Sequence, residues 1–482
     1  MQLIPPMRYL QLSARLQIAR GHCARNERPR IAYRLSPLKS VCVVLLFFAA
    51  AVVAGQAQTL ITLAFLNGTD GDGIYSPLVQ GVDGNFYGAA QYGGSDSLGV
   101  VFKITPEGTL TTLHNFHGPD GGNPNWIIQA TDGNLYGTTL DGETSQGTVF
   151  KITLAGTLTT LATFNGPNGS LPNGLVEGTD GNFYGTTLYS GNLTCNPPYG
   201  CGTVFRVTPQ GVLTKLHSFD GTDGVEPYAV PIQGADGNFY GTTRSGGSNH
   251  DGTVFKITPQ GVFTTLKNFD GTDGSVVITG LVQAVDGTFY GTTDSGGSFY
   301  DTRAGTIFQM TPDGTLTTLM ILPAPLANAS ALIQATDGNL YGASDSSVNS
   351  GILFELTPEG TITILHSFDG VDGGDPRSAL TQGTDGNLYG TTLGSVFRLS
   401  VGLAPFVETL TKSGMIGAPV IILGNDLTGA TGVAFNGVAA AFTVISATEI
   451  TATVPTGAST GLVQVTTPDN DLTSNMPFQV TP

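Results

Sequence analysis

The sequence predicts an all-β chain: seven four-stranded sheets closed into a ring, with a smaller β-sandwich after them. Three observations carry this. One turn motif recurs seven times at a period near 50 residues. Every period contains the same four strand-like runs. The first outer-type run stands alone ahead of the first complete unit, while the last unit lacks its own copy. Composition agrees. Glycine numbers 68 of 482 residues, charged residues are 11% and apolar residues 40%. Each interior helical glycine costs about 1 kcal/mol, so this glycine content suits short strands and tight turns, and the apolar fraction is enough for a packed core.

The first 57 residues read as an address. They hold eight basic groups (Arg8, Arg15, Arg20, Arg25, Arg28, Arg30, Arg34 and Lys39) and one acid, Glu27. Val41 to Ala54 is an apolar run of 14, shorter than the roughly 20 residues of a bilayer span. Basic flank, short apolar stretch and the small residues Gly55 and Ala57 mark a signal peptide over 1–57, cleaved before Gln58. An uncleaved anchor is the rival reading, and the long basic flank fits a translation start nearer Leu35. The expected location is outside the cytoplasm: secreted, at the cell surface or in the periplasm. Taking the +7 of this segment from the net −17 leaves −24 on the remainder. So acidic a body repels nucleic acid and anionic membranes, and neither is an expected partner. No membrane span is expected in the mature chain, and a monomer is expected. Cys23 and Cys42 would leave with the signal. Cys195 and Cys201 remain and are expected to form a disulfide in an oxidising compartment, a metal site being the weaker rival.

The repeat begins with the Asp of the turn, at 83, 132, 180, 236, 286, 337 and 385. Periods of this length belong to solenoids or propellers. Within 231–269, "PIQGADG", "NFYGTTRSGG", "GTVFKITPQG" and "VFTTLKNF" are four β-rich runs punctuated by Asp-Gly-Asn and Pro-Gln-Gly turns. Each unit is therefore a four-stranded antiparallel meander with two apolar faces, which it buries against its neighbours. The innermost run carries Gln80, Gln129, Gln233, Gln283, Gln334 and Gln382, with Glu177 in the third unit. The third run carries Phe102, Phe150, Phe205, Phe255, Phe308, Phe354 and Phe397. The outer run appears first at 59–66, and none follows Phe397. The last blade thus borrows its outer strand from the chain's start, giving a seven-bladed β-propeller over 58–401. An open stack would begin and end on capping repeats. The repeated turn is read as structural: its Asp and Asn cap backbone groups, and its aromatic residues pack between blades.

The unit "GTVFKITPQG…TTLHSFDGTDG…LVQGTDGNFYGTT" resembles the bacterial GloVer tandem repeat over roughly 59–400. That resemblance implies an exported protein, often with a varied C-terminal anchor and with no general activity assigned. "LMILPAPLANAS" and "GILFELT" depart from the pattern in the fifth and sixth blades. Residues 402–482 resemble an IPT/TIG domain, an immunoglobulin-like β-sandwich, on Gly414 to Gly424, Val433 to Gly437 and Thr451 to Gly461 with Val454-Pro455. This implies a spacer or interaction module. No apolar tail or sortase-like motif follows, so release rather than tethering is expected.

In the meander, Asp-Gly-Asn and Thr-Pro-x-Gly turns share one face. The other face carries variable loops such as "LDGETSQ" and "LYSGNLTCNPPYGC", and binding is expected there. Ligand-binding candidates are Trp126, Tyr228, His250 and Tyr300, with sugar stacking as the role of Trp126 and Tyr228 and core packing as the alternative for Trp126. The acidic connections place Asp70, Asp72, Asp220, Asp223, Asp270, Asp273, Asp369, Asp372 and Asp375 where Ca²⁺ could be wrapped. The alternative is Asx-turns satisfying their own backbone. No other cofactor is implied. His114, His217 and His366 share one slot on the outer strand and are expected to be solvated, while His117 and His250 lie in variable-face loops. No Ser elbow, His-x-x-x-His or phosphate loop appears, so catalytic residues stay unassigned. The expected function is an exported, non-enzymatic binding or interaction protein for an extracellular glycan or protein. The alternatives are an extracellular polysaccharide lyase or hydrolase with acids at the propeller mouth, and a cell-envelope structural protein.

Overall fold

The computed structural model describes residues 58–481 apart from 143–145, 297–304, 323–325, 327 and 346–349. The expected signal segment and Tyr300 lie outside the described residues. Among the described residues, no helix is long and apolar enough to cross a membrane, which says nothing of β-barrel spans.

Between Thr59 and Ser400 the described residues form seven antiparallel sheets. Blade 1 runs Val79–Gln80, Phe86–Ala90, Val100–Ile104, Leu110–Asn115. Blade 4 runs Ile232–Gln233, Phe239–Thr243, Thr253–Ile257, Phe263–Asn268. Blades 2, 3, 5 and 6 repeat this order, blade 3 with an added strand, Ser170–Pro172. Blade 7 contributes Thr381–Gln382, Leu388–Thr391 and Ser395–Ser400, and its outer strand is Thr59–Phe65. That strand pairs antiparallel with Ser395–Ser400, from Thr59 opposite Ser400 to Phe65 opposite Ser395. The chain's first described strand therefore completes its last blade.

The burial pattern explains the strand sequences. The second strand of each blade is buried on both sides because it lies between two neighbouring sheets; Phe239–Thr243 has no exposed residue. The third strand is buried except at one residue, Lys256 in blade 4, and the outer strand is mostly half-exposed. The two glycines of the repeated motif have different reasons. The first, as at Gly84, sits at φ +78° in the turn, a conformation that suits glycine. The second answers to space. A Cβ on Gly241 would lie 2.5 Å from the Phe255 ring, and the equivalent phenylalanine crowds Gly88, Gly137, Gly185, Gly291, Gly342 and Gly390 in the same way.

A belt of side-chain hydrogen bonds joins the blades. Gln129 Oε1 accepts from the Val82 amide of the preceding blade at 2.9 Å. Glu177, Gln233, Gln283, Gln334 and Gln382 do the same for Thr131, Thr179, Ala235, Val285 and Thr336. The belt closes where Gln80 of blade 1 accepts from the Thr384 amide of blade 7 at 2.9 Å. At the same seam Phe86 stacks on Tyr389, ring centroids 3.9 Å apart.

The C-terminal part forms two facing four-stranded sheets. One contains Pro419–Leu423 and Glu449–Thr453, the other Gly432–Phe435 and Val463–Thr466. Their inner faces bury Val420, Ile422, Phe435, Ile450, Val465 and Phe478. This sandwich lies against the turn face of the propeller. Thr448 Oγ1 donates to the Val82 carbonyl at 2.7 Å, the Phe406 amide to the Thr384 carbonyl at 3.0 Å, and Gln479 Nε2 to the Ala235 carbonyl at 2.8 Å. It thus touches blades 1, 7 and 4.

Candidate functional site: the variable-face mouth

Three residues before the belt Gln or Glu, the inner strands place Pro77, Trp126, Gly174, Val230, Gly280, Ala331 and Ala379 at one level. All but Trp126 are small or compact. A Cβ on Gly174 would lie 2.4 Å from Trp126 Cγ and 2.6 Å from Val230 Cγ2, so the indole projects across the inner strands. Its Nε1 is buried with no hydrogen-bond partner among the described residues. Trp126 is thus half-buried, with its indole packed over Gly174 of the next blade.

Nearer the variable face lie two ion pairs and several aromatic side chains. Arg377 Nε lies 3.3 Å from Asp345 Oδ2, and Arg244 Nη1 lies 2.9 Å from Glu226 Oε2. Burial pushes the Asp294 carboxyl up, the Asp345 charge adds to this, and Arg244 opposes it. Asp345 Oδ1 is buried with no partner among the described residues. Burial also raises Tyr75, with Tyr92 and Asp72 adding and Arg377 opposing, and raises Tyr189, with Glu226 and Tyr228 beside it. Tyr75, Tyr92 and Tyr228 are exposed. A cavity of about 900 Å³ opens beside Arg244 and Glu226, lined also by Asp220, His250 and the Cys195–Cys201 disulfide.

Of the ligand candidates read from sequence, Tyr228 lies near Tyr189 and His250 lines the cavity, whereas Trp126 packs over Gly174 of the next blade. Sequence reasoning missed Arg244, Asp294 and Asp345. They share one register position, directly after the Gly-Thr-Thr or Gly-Ala-Ser stretch, where the other blades carry Gln91, Leu140, Leu188 and Leu393. Variation at one position of an otherwise constant strand was the available signal.

The acidic connections are bound up with their own backbone. Asp220 Oδ1 accepts from the amide and hydroxyl of Thr222, which hold its carboxyl below the usual range. Asp223 Oδ1 accepts from the Asp220 amide at 2.9 Å. Asp270 with Asp273 and Asp369 with Asp372 repeat this geometry, and Asp70 accepts from the Asn67 amide. The expectation of solvated outer-strand histidines is corrected. His114, His217 and His366 are half-buried, and each contacts a connector carboxylate: Asp120 at 2.7 Å, Asp223 at 2.7 Å and Asp372 at 2.6 Å. The connection leaves the outer strand and doubles back past its end, so a residue at that slot meets the second Asp rather than water. In blade 4 the slot holds Lys267, paired with Asp273.

Fold and mouth define an all-β propeller whose one face carries a sandwich and whose other presents a charged, aromatic opening. The chain belongs to the Gloeobacter/Verrucomicrobia repeat family, whose pattern matches residues 51–196 and 193–398, and the IPT/TIG domain matches 405–481. Among solved structures, a streptogramin B lyase is similar at TM-score 0.53 and 15% identity, covering 72% of this chain and 99% of that one. The virginiamycin B lyase of Staphylococcus aureus is similar at TM-score 0.52 and 16% identity, covering 71% and 99%. At such identities the likeness is one of fold alone. Comparison with curated proteins finds no match.

Proposed function

We propose that the protein is exported through the 1–57 signal segment and, without catalysing a reaction, binds an extracellular glycan at the variable-face mouth. One observation carries this reading: Tyr75, Tyr92 and Tyr228 are exposed on the side that also carries the ion pairs Arg377–Asp345 and Arg244–Glu226. Flat aromatic rings offer stacking surfaces for sugar C–H faces, and convergent charged groups offer donors and acceptors for hydroxyls. The sandwich supports the same orientation, because it lies against the opposite face and serves as spacer or second contact.

Asp294 supports a second reading. A carboxyl raised by burial near the charge of Asp345 has the character of the general acid that polysaccharide hydrolysis needs. One experiment addresses both readings: glycan-array binding with and without Ca²⁺, run beside an assay for released reducing ends. Binding without product release is expected, with Arg244→Ala and Tyr228→Ala each weakening it about tenfold or more. Product release at catalytic turnover replaces the first reading with the second. Capture of a protein and no glycan moves the ligand class.

A further inference from the structure

Away from the mouth, the connection between blades 1 and 2 departs from its counterparts. Where three of the others carry Asp220, Asp270 and Asp369, and two carry Asn67 and Asn165, it carries His117. Those carboxylates cap the amide two residues on, that of Thr222, Thr272 or Val371. Here that residue is Pro119, which has no N–H to donate, so the slot needs no capping acceptor. The imidazole that stands there turns Nδ1 to within 3.1 Å of Asp120 Oδ2. His114 Nε2 lies 2.7 Å from the same oxygen. Among the described residues, this is the only gathering of three or more His, Cys, Asp or Glu side chains whose ligand atoms all lie within 4.8 Å of one another.

We propose that His114, His117 and Asp120 form a site for a divalent transition-metal ion of the zinc class. Two imidazoles and one carboxylate are its characteristic protein ligands, with water completing the coordination. Ca²⁺ prefers six to eight oxygens and does not suit the set. Metal–ligand bonds of about 2.0–2.1 Å in a tetrahedron separate ligand atoms by roughly 3.3 Å. The observed 2.7 and 3.1 Å need to open only slightly, and His117, 56% exposed, is free to give. The other two ligands are held. Asp120 Oδ1 accepts from the His117 amide at 3.1 Å, and the His114 ring meets the edge of Phe116 at 5.0 Å. Such outer contacts orient ligands before the ion arrives. The site is independent of the glycan reading.

The test uses the untagged full chain, stripped with a chelator and titrated with Co²⁺ and then Zn²⁺, read by calorimetry and by the visible absorption of Co²⁺. One equivalent of Co²⁺ is expected, displaced by Zn²⁺. His117→Asp installs the residue type of Asp220, Asp270 and Asp369 and is expected to weaken binding at least about tenfold, while His250→Ala leaves it unchanged. If His117→Asp fails to fold, His117→Asn, the residue type at Asn67 and Asn165, replaces it. Protection of His117 from diethyl pyrocarbonate by Zn²⁺ reads the site in the unaltered chain. Absence of binding, binding that survives both His117 variants, or no protection of His117 overturns the proposal.

Discussion

Replacing Gly241 by alanine tests why the repeat ends its turn motif in glycine. The added Cβ would lie 2.5, 2.9 and 3.2 Å from three carbons of the Phe255 ring. Carbon pairs rest at about 3.5–4.0 Å, so the ring must retreat by about 1 Å. It has little room: Phe255 is fully buried, and its centroid lies 5.4 Å from that of Phe219 and 5.3 Å from that of Phe263. Overpacking of this kind costs about 1–3 kcal/mol. The opposing gain, from giving a strand glycine a side chain, is about 0.5–1 kcal/mol. Over most of that range overpacking prevails, and a net loss of about 0–2.5 kcal/mol, centred a little above 1, is expected. The assay is urea unfolding followed by far-UV circular dichroism and by fluorescence of Trp126, the only tryptophan. A double-mutant cycle isolates the contact. Phe255→Leu removes the ring, so Gly241→Ala made on that background should cost less, with a coupling of about 0.5–3 kcal/mol. Strictly additive effects refute the steric account.

Glu177 is the one acid in the belt, and burial raises its pKa despite hydrogen bonds from Thr131. The folded state then holds this proton more tightly than the unfolded chain. Its contribution is fully present below the ordinary glutamate range and is lost as pH rises through the raised value. Glu177→Gln, the residue of the other six blades, should therefore be more stable than the parent at neutral pH and converge with it in acid, as thermal melts across pH will show. Gln80→Ala removes the acceptor for the Thr384 amide at the closing seam. It should cost about 1–3 kcal/mol and increase hydrogen exchange at Thr59–Phe65, the strand that completes blade 7.

The ring was legible because its signals are periodic. Seven turn motifs, seven third strands each centred on a phenylalanine, and a displaced outer strand needed only counting, and the pairing of Thr59–Phe65 with Ser395–Ser400 bears out the closure. The repeat and IPT/TIG resemblances were likewise carried by local motifs. What failed to show were relations between residues about 50 positions apart. The belt Gln was visible as a recurrent letter, but its acceptor role depends on an amide of the preceding blade. The outer-strand histidines looked solvated because their Asp partners lie six residues on, across a turn whose direction the sequence does not state. The mouth residues were obscured by being different: Arg244, Asp294 and Asp345 read as noise in a repeat until the ring brings them to one rim.

The two faces of the propeller are specialised by which backbone groups remain free. At Val82, Ala235 and Thr384 the amide is taken by the belt, from Gln129, Gln283 and Gln80. The carbonyls of the same three residues accept from the sandwich, through Thr448, Gln479 and Phe406. A repeat presents equivalent carbonyls on every blade, so docking through them asks little of particular side chains. That face can support a second domain while keeping the turn sequences that close the ring. Opposite it, the strand ends behind the mouth keep their buried hydroxyl pairs, Thr243 with Thr253 and Thr293 with Thr306. The residue one step further out varies from blade to blade, Arg244 or Asp294 in place of Leu140 or Leu188. Under the proposed binding function, that is the step at which ligand chemistry would vary with little cost to the ring.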